Sequence, residues 1–259
     1  MEPLTETILV TNDDGVRAPG LEALARAVAP LARRVLVVAP DREQSGISHA
    51  LTIRRPLRLE RVGEDRYTVD GSPADCVDLA VLGLLDAPPG LVVSGINPGY
   101  NLGDDVIYSG TVAGAREGHM LGIPALAVST AFDADDAAYA SAADWAVRLA
   151  RRILAGDLPA GAFLNVNVPP GASECRVTRQ GRRASRPGLV RRTDPKGKEY
   201  WWIGLAGSRW RPDGEADHAA VAAGLVSITP LQLDTTCTAA MPPLRGATTC
   251  PAGTAEEGR

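Results

Sequence analysis

Ile8-Leu9-Val10-Thr11-Asn12-Asp13-Asp14-Gly15 is the stretch from which the fold is read. An apolar run stops at two adjacent carboxylates and a glycine, and apolar residues at helical spacing resume at Leu21. That pattern predicts a buried strand, a tight loop and a helix. In open α/β sheets, ligands gather at the carboxyl ends of the strands. Two acids placed there, with no lysine nearby, point to a hard divalent cation held by oxygen atoms. Asn-Asp and Asp-Gly are also ordinary turn and N-cap chemistry, so the pair by itself leaves both readings open.

Working outward, Leu21 to Ala29 reads as a helix stopped near Pro30, and Val35 to Pro40 as a second buried strand. It runs into the polar loop Asp41-Arg42-Glu43-Gln44-Ser45-Gly46-Ile47-Ser48-His49. Strand, helix and strand make a βαβ unit, and a right-handed crossover puts both loops on one edge of the sheet. Residues 51–70 read as a β excursion with a turn at Gly63-Glu64-Asp65. Ser72 as N-cap and Pro73 at the first helical position open a helix through about Leu85. Leu91 to Gly95 is a third strand, leading into Ile96-Asn97-Pro98-Gly99-Tyr100-Asn101-Leu102-Gly103. Ser109-Gly110-Thr111 precedes a small-residue helix from Val112 to Leu121. The unpaired N–H groups of such an end can hold a phosphate, although no P-loop lysine accompanies it. Ile123 to Ser129 and Phe163 to Pro169 are further strands, with an amphipathic helix between them from Tyr139 to Leu154. The expected class is α/β: a Rossmann-like, mostly parallel sheet with helices on both faces.

The composition changes after Pro170. Arginine-rich loops and short β-like pieces follow, including Tyr200 to Leu205, and three of the four tryptophans fall at 201–210. Such stretches often form an arm or a subunit interface. A short helix from Asp217 and a final strand from Leu225 to Leu231 come next, and from about Thr235 no apolar periodicity remains. The expected organisation is a catalytic core over 1–170, an accessory, β-rich oligomerisation region over 171–234 with its last strand returning to the core, and a disordered tail over 235–259. A net charge of -4 gives no global basic field for nucleic acid. Cys76, Cys175, Cys237 and Cys250 match neither a CxxC metal pattern nor a dense disulfide framework. No apolar run approaches membrane-span length and the acidic N-terminus is unlike a secretory signal, so a cytoplasmic, reduced protein is expected.

Three successive strands thus end in Asp13-Asp14, Ser45 and Asn97, all oxygen donors on one sheet edge. Two carboxylates, a hydroxyl and a carboxamide, completed by water, suit an octahedral hard-metal site.

These motifs resemble a known family. Val10 to Gly15, Ser45-Gly46-Ile47-Ser48-His49-Ala50-Leu51-Thr52, Gly71 to Val77, Ser94 to Asn97 through Ser109 to Val112, and Ala220 to Leu231 are all similar to the stationary-phase survival protein SurE family. The resemblance runs in order from about Thr7 to Leu233; Ala113-Gly114 reverses a small pair that the family commonly carries. It implies a metal-dependent 5'-nucleotidase acting on nucleoside monophosphates, with 3'-nucleotides as additional candidate substrates. It also implies a homodimer or homotetramer whose C-terminal parts exchange between subunits. Carried over residue by residue, Asp13, Asp14, Ser45 and Asn97 become ligands of one Mg2+ or Mn2+ per subunit, and Asp13, Asp14 and Asn97 the catalytic set. Asn12, Ser45, Gly46, Asn101, Ser109, Gly110 and Thr111 are the expected phosphate and substrate contacts. Asp14 is a candidate proton acceptor; His49 is a candidate acid, or a structural histidine.

Three other classes share parts of this pattern. A receiver-type signalling domain needs a phospho-accepting aspartate after the third strand and a lysine after the fifth; here the first lysine is Lys196. A dinucleotide-binding module needs GxGxxG at the first turn, which Asn12 to Arg17 lacks. A non-enzymatic nucleotide-binding regulator remains open.

Overall fold

The computed structural model describes residues 2–159, 161–185, 188–203 and 209–247. Its centre is a nine-stranded sheet. In chain order the strands and helices are β1 (Thr5–Thr11), α1 (Pro19–Val28), β2 (Ala32–Pro40), β3 (Leu59–Gly63), β4 (Arg66–Val69), α2 (Pro73–Leu79) and β5 (Leu91–Pro98). There follow α3 (Gly110–Met120), β6 (Ala125–Thr130), α4 (Asp136–Leu154), β7 (Phe163–Val168), β8 (Cys175–Val177), β9 (Leu189–Thr193), β10 (Glu199–Ile203), α5 (Asp217–Ala222), β11 (Val226–Pro230) and α6 (Met241–Ala247). The sheet order is β3-β4-β2-β1-β5-β6-β7-β11-β8. From β4 through β7 every pairing is parallel; β3 and β11 join antiparallel, and β8 lies parallel to β11.

The reason is visible strand by strand. Ile8, Leu9, Val10, Leu36, Val38, Val92 and Val93 are fully buried, as expected of central parallel strands covered on both faces. One layer is α1 and α4: Leu21, Leu24, Val28, Ala142, Ala146 and Ala150 pack with Ile8, Val10 and Val93. The other is α2 and α3: Cys76, Val77, Val112 and Ala115 pack with Leu9, Val38 and Val92. Removing one such leucine from water is worth about 2 kcal/mol, so the two layers hold the sheet edge, and the loops on it, in a fixed place.

Helix α3 approaches the sheet unusually closely. Gly110, Gly114 and Gly118 recur every four residues on its inner face. A Cβ at Gly110 would lie 2.7 Å from Asp13 Cβ, one at Gly114 2.8 Å from Thr11 Cγ2, and one at Gly118 2.6 Å from Val92 Cγ2. The glycine at 114, half of the reversed small pair, is therefore where the close approach requires it.

Several elements differ from expectation. Helix α4 begins at Asp136 rather than Tyr139, because Asp135 caps it by accepting from Ala138 N at 2.8 Å. The helix opened by Ser72 is α2 followed by a π turn over Ala80–Leu84. Strand β8 is only three exposed residues, too short for periodicity to detect. The stretch from Thr235 carries a 3-10 turn at Thr238–Ala240 and α6; residues 248–259, and the 204–205 end of the expected β piece, lie outside the described residues.

Strands β9 and β10 form a separate antiparallel hairpin. Leu189, Tyr200, Trp201, Trp202 and Ile203 are all exposed there. Trp210 is not part of that face: it stacks on His218 at 4.7 Å and under the Arg183 guanidinium at 4.5 Å. No described helix is long and apolar enough to cross a membrane.

Candidate active site

With β2, β1 and β5 adjacent and parallel, the loops after them share one edge of the sheet. Asp13 and Asp14 leave β1 there. Asn12 holds their loop closed: its Nδ2 donates to Gly15 O at 3.1 Å and its Oδ1 accepts from Gly15 N at 3.2 Å. Its carboxamide is thus engaged in the loop, fully buried, rather than turned toward a substrate. The next loop is tied to the first by Gln44 N donating to Asp13 O at 2.7 Å. On it, the exposed Ser45 Oγ donates to Glu43 Oε1 at 2.8 Å, and Gly46 stands at φ 72° with open space around it. At the end of β5, Asn97 Nδ2 donates to Gly99 O at 2.6 Å.

The N-terminus of α3 points at this edge. Ser109 caps it, its Oγ accepting from Val112 N at 3.0 Å. Gly110 lies directly against the Asp13 side chain. Thr111, fully buried, donates its hydroxyl to Asp13 Oδ1 and so holds the carboxylate instead of facing outward. Asn101 also turns inward: its Nδ2 donates to Ser129 Oγ at 2.9 Å, and its backbone is gripped by Asn165 and Asn167. Of the expected contacts, the structure brings Asp13, Asp14, Ser45, Asn97, Ser109 and Gly110 to one edge. Asn12, Thr111 and Asn101 serve to hold that edge in shape.

The electrostatics of the acid pair are unusual. Asp13 is 4% exposed, and burial pushes its carboxyl above the ordinary range, against the hydrogen bond from Thr111. Burial also pushes Asp14 up to about 7, with the charges of Asp13 and Glu43 adding to it. Asp14 Oδ2 is buried with no hydrogen-bond partner. Burying an uncompensated carboxylate is costly. A buried acid pair with an orphaned oxygen, next to a hydroxyl and a carboxamide, fits a hard cation. Among the described residues no three His, Cys, Asp or Glu side chains are grouped to hold a metal.

Two charged or polar neighbours were not evident from sequence. Glu43 acts on both aspartates, and Tyr139, buried on α4, feels the charge of Asp14. Glu43 lies two residues before Ser45, which is the signal that was there to use; Tyr139 is recruited only by packing of α4 across the sheet. His49 is engaged by the nearly buried Glu117, Nε2 to Oε2 at 2.6 Å, and so pins the Ser45 loop to α3. That contact favours the structural alternative for His49. Asp78 beside Glu117 is raised to about 6 by burial and by the Glu117 charge.

The accessory region supports the same edge. Asp217, fully buried, accepts from Gly103 N at 2.7 Å, Gly181 N at 2.9 Å and His218 N at 2.7 Å. Arg183 reaches Asp105 with its guanidinium and Asp104 with its backbone N–H. Both contacts fix the 3-10 turn Gly103–Ile107 that leads into Ser109.

This arrangement of strand ends agrees with what the chain resembles. The family model for survival protein SurE matches residues 8–187. The chain belongs to the SurE family. The 5'-nucleotidase SurE of Geotalea daltonii is 51% identical over 233 residues, covering 88% of this chain and 94% of that protein. The 5'-nucleotidase SurE of Pelobacter propionicus is 50% identical over 238 residues, covering 90% and 96%. The crystal structure of the SurE protein from Aquifex aeolicus superposes with a TM-score of 0.80 at 40% identity, covering 93% of this chain and 99% of that one. The SurE match begins at Ile8, inside the strand that delivers the acid pair, and spans every loop of the candidate site.

Proposed function

We propose that this SurE-family chain is a metal-dependent 5'-nucleotidase, hydrolysing nucleoside 5'-monophosphates to nucleoside and phosphate. The observation that carries the reading is the buried acid pair Asp13/Asp14, with its orphaned Oδ2, against the capped N-terminus of α3. Asp13, Asp14, Ser45 and Asn97 would hold one Mg2+ or Mn2+. Such an ion, when bound, supplies Lewis-acid neutralisation of phosphoryl charge and a more acidic water. The chain's own groups do the rest. Of the first N–H groups of α3, that of Thr111 turns to Asp13 and that of Val112 to the Ser109 cap, so the Gly110 N–H and the positive end of the helix are what favour a phosphate dianion. Ser109 keeps its hydroxyl hydrogen available while its oxygen serves as cap. Asp14, whose Oδ2 is buried without a hydrogen-bond partner, is the candidate proton acceptor. The Asn12–Gly15 and Thr111–Asp13 contacts keep these groups from relaxing away from one another.

The test is phosphate release from nucleoside monophosphates, with and without EDTA. Metal-dependent release is expected; tight nucleotide binding without release would instead support a regulator. The exposed aromatic hairpin supports a homodimer or homotetramer with C-terminal exchange, because contiguous apolar faces of this kind mark interaction surfaces. The unpaired thiols Cys76, Cys175 and Cys237 support a reducing, cytoplasmic setting. The catalytic core over 1–170 and the accessory region over 171–234 remain the domain reading that this mechanism uses.

A further inference from the structure

Single exposed apolar residues are ordinary on protein surfaces; what singles out Phe132 is its place. The chain has only two phenylalanines. Phe163 is buried in β7, while Phe132 is 80% exposed, two residues past the end of β6. Outside the hairpin, the only other large aromatic exposed among the described residues is Tyr108. Both belong to the loop edge that carries the acid pair. Tyr108 lies on the β2 side, its carbonyl accepting from Ser48 N at 3.0 Å. Phe132 lies on the opposite, β6 side. Gly99 N donates to Thr130 O at 3.0 Å, which draws the Asn97 loop alongside it. A Cβ on Gly99 would meet Asn97 Nδ2 at 3.6 Å and Phe132 Cδ2 at 3.9 Å, so the ring edge and the carboxamide border one small space. With no Cβ there, that space stays open.

We infer that Phe132 is the platform on which the nucleobase of the substrate stacks. The inference rests on the nucleotidase reading and deepens it. A phosphate at Asp13 and the α3 N-terminus fixes one end of the substrate. Strand β6 is two places from β1 in the sheet, about 10 Å at ordinary strand spacing, a span that a ribose bridges. The base then arrives over the β6 loop, where an exposed phenyl face waits. Stacking on a ring accepts any base and grades them by stacking strength rather than by a hydrogen-bond code. The enzyme should therefore accept all the common bases, with purines ahead of pyrimidines.

The experiment compares AMP with ribose 5-phosphate, which has the same ester and sugar but no base, and measures adenosine as a competitive inhibitor. In Phe132→Ala, the ratio of kcat/KM for AMP to that for ribose 5-phosphate should fall about tenfold, chiefly through KM. The adenosine inhibition constant should rise by a similar factor, and Phe132→Trp should restore both. Equal losses on AMP and ribose 5-phosphate, an unchanged adenosine constant, or a change only in the light-scattering mass would overturn the inference. A wild-type protein that releases phosphate from neither ester would instead bring down the nucleotidase reading, and this one with it.

Discussion

The acid pair and the β9–β10 hairpin are opposite kinds of misfit. At Asp13 and Asp14, acidic groups are buried without counter-charge; at Trp201 and Trp202, indoles are exposed, the first with the Arg191 guanidinium 5.4 Å from its ring centre. Each breaks the ordinary partition of polar and apolar groups, and each is surrounded by structure that obeys it. The acid pair is gripped by hydrogen bonds from Thr111 and Gln44, and its loop by Asn12. The hairpin stands in a two-stranded sheet of its own. On the proposed reading, the misfit held rigid serves chemistry, whereas the one set on a separate two-stranded ribbon serves contact with another surface.

Substitutions can break that contrast. The largest effect is expected at Asp13. Asp13→Asn keeps the shape and removes a charge that a cation needs, so nucleotide turnover should drop at least 100-fold while the circular dichroism spectrum is retained. Retention of more than a tenth of the turnover would mean that the charge is not catalytic. Next comes Gly110→Ala: the added methyl must displace the Asp13 side chain, so activity should fall by about tenfold or more, although alanine is the better helix former. A stable, fully active variant would show that the helix and the carboxylate move independently.

The hairpin should respond in the other coordinate. Replacing Trp201 and Trp202 together by serine should lower the mass seen by light scattering while kcat stays within about threefold. A monomeric wild-type protein would remove the contrast altogether. The smallest effect is a change in stability. Ionised Asp14 is penalised in the fold, its carboxyl having moved from 3.8 to about 7. The penalty is absent below about pH 4, grows as pH rises, and is complete above 7. In EDTA at pH 8, Asp14→Asn should therefore melt several degrees higher than wild type, and the gap should close at pH 4. A lower melting temperature for the variant at pH 8 would contradict the electrostatic account.

Much of this was legible in the sequence because buried parallel strands are written as unbroken apolar runs. Ile8 to Val10, Val35 to Pro40 and Leu91 to Gly95 announced β1, β2 and β5, and with them the edge that carries the acids. What escaped was whatever depends on a distant partner. Thr111 looks like a phosphate-loop hydroxyl until Asp13 is placed against it. Asn165 and Asn167 read as strand residues; only pairing of β7 beside β6 brings them to Asn101. Trp210 reads in sequence as one of three arm tryptophans, yet it packs on His218 and Arg183, where the accessory region meets the Gly103 turn.

The glycine stripe of α3 has a consequence for how the site comes into being. Three glycines in one short helix cost roughly 3 kcal/mol of intrinsic helix preference, and the segment Gly110–Met120 is too short to be helical in water alone. Its order therefore depends on docking against β1 and β5. The end of α3 proposed to face phosphate cannot exist before the sheet does, nor be transplanted without it. Assembly of the fold and completion of the catalytic edge are the same cooperative event, so a partly folded chain carries no partly competent site.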